Sequence, residues 1–326
     1  MIKIKLSKPI FMKSILITGG LGFLGSHTCS LLLEKNFCIY IIDSLSNSSL
    51  TVLNRIKKIN NSSLKKGKEN FIKFFKGDVR DFENLKEIFF HALSIGKPID
   101  AVIHFAGLKS VQESFIYENN YWDVNVEGTR NVLKVMNEFN CNTLIFSSSA
   151  TVYGNCDTNL ITEGYDINPC NIYGKTKARA ESIIKEKYDS SRKWKIMNLR
   201  YFNPIGAHKS GLIGEAPNKS ANNLFPMICR VASGEIEDLK IFGKDWNTRD
   251  GTCVRDYIHV MDIAFAHLAA LYYLEKKESK FISINLGTEK GTTVLELIKT
   301  FEKISNKKIK YSFCQRREGD VACYVA

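Results

Sequence analysis

Short, mainly apolar runs punctuate the first 200 residues, at positions 15–17, 39–42, 71–75, 101–105, 144–146 and 196–199. Between them lie segments 26–35, 82–93, 125–139 and 172–188, whose apolar positions recur at helical spacing. Each run is too short for a helix and is mostly apolar on both faces, as expected of strands in a covered parallel sheet. Strand–helix alternation of this kind predicts βα units joined by right-handed crossovers. The fold class expected is α/β, with a doubly wound parallel sheet of Rossmann type.

The rhythm changes after residue 200. Turn signals crowd in at Asn203-Pro204, Gly206, Gly211, Gly214, Pro217 and Asn222-Asn223, followed by shorter helical patterns at 224–233 and 260–274. Three parts are expected: an N-terminal extension (1–11), a dinucleotide-binding domain (12–200) and a smaller C-terminal substrate domain (201–326). In doubly wound proteins ligands sit at the carboxyl ends of the strands, so the cleft between the two domains is the expected site.

Composition changes this picture little. With 44% hydrophobic residues and 6 prolines the chain is globular rather than disordered. Its formal charge of +12 could point to nucleic acid or an anionic membrane, but no element concentrates it. The densest stretch, 55–76, interleaves lysines with Asn60, Asn61, Ser62 and Ser63 and reads as a solvated loop. Neither a nucleic-acid nor a membrane partner is therefore expected, and no run approaches the roughly 20 apolar residues of a membrane helix. Nine cysteines lie scattered without CxxC or metal-finger spacing. That pattern suits a reducing, cytoplasmic setting and offers no metal site.

The chemistry begins at the first strand. Gly19, Gly22 and Gly25 follow it and open a helix, in the order needed for a tight turn, close approach to a pyrophosphate, and close helix–sheet packing. Asp43 ends the second run, where a carboxylate accepts the adenosine ribose hydroxyls. A 2′-phosphate would be repelled there, so NAD is expected over NADP. Gly77-Asp78-Val79 and Phe105-Ala106-Gly107 occupy equivalent ends of the third and fourth runs.

Tyr173 and Lys177 stand at i and i+4 in a helical pattern and therefore share a face. A lysine cation beside a phenol favours the phenolate, so the tyrosine pKa is expected to be lowered and Tyr173 to act as a general base. Ser149, at the end of the fifth run, should present its hydroxyl to the same substrate oxygen. Singly, these residues have ordinary readings as a core aromatic, a solvated lysine and a helix cap.

Together with the glycine motif, Ser149, Tyr173 and Lys177 resemble the Ser/Thr–Tyr–Lys triad of the extended short-chain dehydrogenase/reductase family. Longer blocks, among them HFAGLKSVQES (104–114), SSSATVYG (147–154), LRYFNPIGAH (199–208), VRDYIHVMD (254–262) and RREGD (316–320), are similar to its branch of UDP-hexose 4-epimerases. The likeness runs from about Met12 to the last residue. It implies reversible interconversion of UDP-galactose and UDP-glucose through a 4-keto sugar, with tightly bound NAD, in a homodimer. It also implies site residues. Phe23, Leu24, the loop of Asp43, Ser44, Leu45, Ser46, Asn47 and Ser48, then Asp78, Val79, Phe105, Ala106, Gly107, Lys109, Asn125, Lys177 and Phe202 would line NAD. Asn203, Asn222, Leu224, Phe242, Arg255, Arg317 and Asp320 would hold UDP. Tyr324 in an ungapped match, or Cys323 with a one-residue gap, would limit the sugar pocket.

The family pattern continues past Ala326, so the substrate domain is expected to lack its last part. Two alternatives compete. One is a non-catalytic, truncated protein that binds NAD and a UDP-sugar. The other is another UDP-sugar epimerase or decarboxylase; a dehydratase would want acidic residues where Ala150-Thr151 stand.

Overall fold

The computed structural model describes residues 14–61, 71–156, 160–216, 223–317 and 320–326. The apolar runs form β1 (Ser14–Thr18), β2 (Cys38–Asp43), β3 (Ile72–Lys76), β4 (Ala101–His104), β5 (Thr143–Ser149) and β6 (Lys195–Tyr201). Helices α1 (Phe23–Glu34), α2 (Leu50–Asn61), α3 (Phe82–Ser94), α4 (Val111–Ile116), α5 (Glu118–Trp122), α6 (Gly128–Glu138) and α7 (Ile172–Ser190) connect them. Part of the basic stretch expected as loop is helical. Residues 55–61 complete α2 because Ile56 and Ile59 fall one turn apart and are buried, while Lys57 and Lys58 point to solvent. Residues 62–70 lie outside the described residues.

From residue 203 the chain adds β7 (Asn203–Ile205), α8 (Leu224–Ala232), β8 (Leu239–Phe242), β9 (Val254–His259), α9 (Val260–Glu275), β10 (Lys280–Leu286), β11 (Gly291–Thr293), α10 (Val294–Ser305), β12 (Tyr311–Cys314) and β13 (Cys323–Tyr324). The large sheet is the doubly wound parallel sheet expected, in the order β3-β2-β1-β4-β5-β6-β10. Its last strand was not anticipated. β10 runs parallel to β6 in the register Lys280↔Lys195 to Leu286↔Tyr201, and α9 packs against α1. A boundary at 200/201 therefore does not part the sheet from the remainder, since β6 would be left with an open edge that β10 covers.

Each face of the sheet carries its own core. Leu31, Leu32 and Leu33 of α1 meet Ile263 and Leu271 of α9 on one side, and Ile88, Val135 and Ile184 of α3, α6 and α7 pack together on the other. A smaller cluster of Ile228, Leu239, Ile241 and Ile298 supports the second region. Because both cores fix the strands in place, the loops leaving β1 to β6 at their carboxyl ends converge on one edge. Among the described residues no helix is long and apolar enough to cross a membrane.

Candidate active site

The glycine turn admits little substitution. Gly19 has φ +66°, and a Cβ there would stand 2.8 Å from the Ala106 amide nitrogen. A Cβ on Gly25 would overlap the Gly19 carbonyl oxygen and lie 2.8 Å from Gly20 Cα. α1 opens at Gly22, with no side chain capping it and no acidic residue in its first turn. Its amide donors and positive end are left for an anion. Asp43, 8% exposed, accepts Leu21 N–H on Oδ2 and both Leu45 N–H and Ser48 Oγ–H on Oδ1, at 2.7–2.9 Å. The carboxylate thus shapes the loop it belongs to.

These residues line a cavity of about 1130 Å³. Its cofactor-side walls include Phe23, Leu24, Ser44, Ser46, Asn47, Ser48, Asp78, Val79 and the 105–109 segment. Leu45 is not a wall: at φ +63° it turns toward the core of α1. Asn125 is not a wall either. A π-helical turn at 123–127 buries it, where its Oδ1 accepts Leu108 N–H (2.8 Å) and its amide donates to Leu108 O and Thr176 Oγ1. It holds the β4 loop from behind.

The triad sits midway along the cavity. Asn171 caps α7 by accepting Gly174 N–H at 2.8 Å, which starts the helix so that Tyr173 lies in its first turn and Lys177 one turn on. Ser149 Oγ accepts from Thr151 N–H and Thr151 Oγ1–H. It is a cap and a neighbour of the phenol at once. Burial pushes the Tyr173 phenol up to about 12, and only the hydrogen bond from Ser149 opposes this. The expected lowering by Lys177 is absent because the ammonium is directed elsewhere. It donates to Ser147 O at 2.8 Å and stands 4.9 Å from the Phe146 ring centre. Burial brings Lys177 itself down to about 8, against the nearby Glu181 carboxylate. At 4% exposure it is no surface lysine.

The far end is built from long side chains. Arg255 donates to Val254 O and Val321 O and pairs with Asp320 at 3.5 Å. Arg317 lies 3.7 Å from the Phe242 ring centre, and its buried Nε has no hydrogen-bond partner among the described residues. Phe202, Asn203 and Leu224 join them, whereas Asn222 lies outside the described residues. Strand alternation separates the two candidates at β13. Cys323 faces away from the cavity, while Tyr324 turns inward, its ring on Phe202 and its hydroxyl donating to Ala150 O at 2.6 Å. Neither forms part of the cavity wall.

Residues 15–287 match the model of the NAD dependent epimerase/dehydratase family. The chain belongs to this family. It is 44% identical to a UDP-glucose 4-epimerase of Bacillus subtilis (strain 168), across 96% of this chain and 88% of the relative. It is also 44% identical to a bifunctional UDP-glucose and UDP-xylose 4-epimerase of Arabidopsis thaliana, across 96% and 87%. Among solved structures, the Stenotrophomonas maltophila UDP-glucose 4-epimerase with NAD and formylated UDP-arabinopyranose superposes with a TM-score of 0.89 at 40% identity, covering 96% and 89%. The Bifidobacterium longum enzyme with NAD⁺ and UDP gives 0.87 at 41%, covering 96% and 90%.

NAD, the cofactor of this family, fits the residues present. The uncapped α1 end, the glycines at which a Cβ would strike backbone, and Gly107, where one would approach Lys177 Nζ to 3.4 Å, form a cradle of backbone rather than side chains. Several cavity residues escaped the sequence reading. Arg55, inside the supposed loop, is one. Arg80, which pairs with Asp78 and Asp123, is another, and Thr151 and Glu215 are two more. Thr151, two residues from Ser149, had a legible signal in that spacing; the others are brought in by tertiary packing.

Proposed function

We propose that this protein interconverts UDP-galactose and UDP-glucose at C4, with NAD held as a tightly bound cofactor. One observation carries the reading. Ser149, Tyr173 and Lys177 stand in a single cavity between the glycine turn and the Arg255/Arg317 end, and its volume exceeds the ~300–1,000 Å³ usual for one small ligand. The glycine turn, the 43–48 loop, Asp78, Val79 and the β4 loop would hold NAD. Arg255 and Arg317 would hold the diphosphate by charge-assisted hydrogen bonds.

Tyr173 takes the proton of the sugar 4-hydroxyl, oriented by Ser149. NAD, when bound by the glycine turn and the loops after β2 and β4, would supply the acceptor and then the donor of the C4 hydride. Lys177, released from Ser147 O, adds a cation on the same side. With the UDP part anchored at the arginines, the 4-keto sugar turns about the diphosphate and offers its other face. Tyr173 then returns the proton. Tyr324 backs the Phe202 wall and limits the room beside the sugar, which disfavours N-acetylhexosamines.

A homodimer is part of this reading, since Phe115, Ile116 and Tyr117 around the end of α4 are 59–71% exposed and would be covered by a second copy. So is a reducing, cytoplasmic setting, supported by nine free thiols, of which Cys29, Cys141 and Cys253 are buried. The test is a coupled assay for UDP-glucose formed from UDP-galactose. Tyr173→Phe should lower turnover about 10²- to 10⁴-fold while NAD stays bound; near-normal turnover would sink the assignment.

A further inference from the structure

Glu215 is an acid on the wall of a cavity built for two diphosphates, where an unpaired carboxylate would repel both. Its side chain is only 6% exposed. Two donors meet on a single oxygen: Lys109 Nζ at 2.9 Å and Asn223 Nδ2 at 2.7 Å reach Oε1. Lys109 belongs to the cofactor-side loop after β4, with its ammonium 6.0 Å from the ring centre of Phe23, the first residue of α1. Asn223 holds the N-cap position of α8, on the substrate side.

Asn223 is a residue type that ordinarily caps its own helix. Here its side-chain oxygen accepts from no α8 amide, while its amide nitrogen donates to Glu215. The first amides of α8 are thereby left uncapped beside Leu224, a cavity wall. One carboxylate oxygen joins the cofactor-side loop, the segment leading to Ala216 and the start of α8.

We propose that Glu215 is a positioning residue that couples retention of NAD to occupancy of the UDP subsite. The proposal rests on the epimerase reading above. A ligand that orders Lys109 on one side fixes Glu215 and, through it, Asn223 on the other, so the second ligand has less ordering to impose.

The experiment follows loss of bound NAD from the full-length protein into a trap that consumes free NAD, with and without saturating UDP. UDP should slow the loss by about fivefold or more in the unsubstituted protein, the lower range of measured couplings. In Glu215→Ala the ratio should fall to within about twofold of one. Glu215→Gln keeps an acceptor oxygen without the charge and should lie between. Lys109→Met should match Glu215→Ala, and the double variant should lose no more than either single one, as members of one unit do. A ratio unchanged in folded Glu215→Ala overturns the coupling, as does one unchanged in Glu215→Gln should the alanine variant fail to fold. Unsubstituted protein that converts UDP-galactose but shows no UDP effect overturns the coupling alone. A UDP effect without conversion sinks the epimerase reading and leaves the coupling standing.

Discussion

The two ends of the cavity are made of different material. At the cofactor end the wall is backbone: Gly19 and Gly25 leave no room for a methyl group, and all of β1 behind them is buried. At the other end it is side chain, with Phe242 and Arg255 reaching in from short, partly exposed strands and Arg317 from the loop after β12. Backbone cannot yield without moving a strand or helix, whereas a guanidinium on a flexible stem can. The first end should therefore respond to substitution all at once and the second by degrees.

Gly25→Ala is the strongest way to break that contrast. Its Cβ meets the Gly19 carbonyl and Gly20 Cα, so α1 must move off the turn at a cost of about 1–3 kcal/mol, and NAD should be lost. NAD content and thermal midpoint measure this, and full retention of NAD would erase the distinction. Arg317→Ala tests the other end. It should raise KM for UDP-galactose about 10- to 100-fold, the worth of a charged hydrogen bond, with NAD content unaltered and kcat little changed.

Proton linkage sharpens the comparison further, because Lys177 is buried against the cofactor-side wall. With its folded value at about 8, turnover should decline as pH rises from about 7 to 9 and the cation is lost. Stability should move the opposite way. An unfolded lysine titrates near ~10.4. Between the two values the unfolded chain holds more protons, so this group's burial penalty, complete below pH 8, is relieved as pH rises through that window. Rate and denaturation profiles over the same range should diverge, and a parallel fall would exclude Lys177 as the titrating group. The smallest effect is expected at Tyr324→Cys, which removes a ring from behind Phe202 and should improve the rate on UDP-N-acetylgalactosamine relative to UDP-galactose by a few-fold. No change in that ratio would remove Tyr324 from the specificity argument.

Six strands were legible because each is a short, mainly apolar run, fully covered except at the edge strand β3, and the glycine turn because its residue types are dictated by backbone geometry. β10 was not, since its residues are all half-buried and it reaches the sheet from beyond the second region. Asn125 and Leu45, which the family resemblance implies as NAD contacts, are turned away from the cavity, one by a π-helical turn and the other by a left-handed backbone.

What the sequence determines by itself is local: strand and helix periods, the glycines of a tight turn, and the placing of Tyr173 and Lys177 on one helix face. Where a side chain's charge goes is decided by its neighbours in space. Helical spacing brings Lys177 near Tyr173, but the Ser147 carbonyl, contributed by a strand thirty residues away, captures the ammonium. Glu215 likewise carries no signal in its own surroundings; only the fold brings Lys109, 106 residues distant, within hydrogen-bonding reach of it.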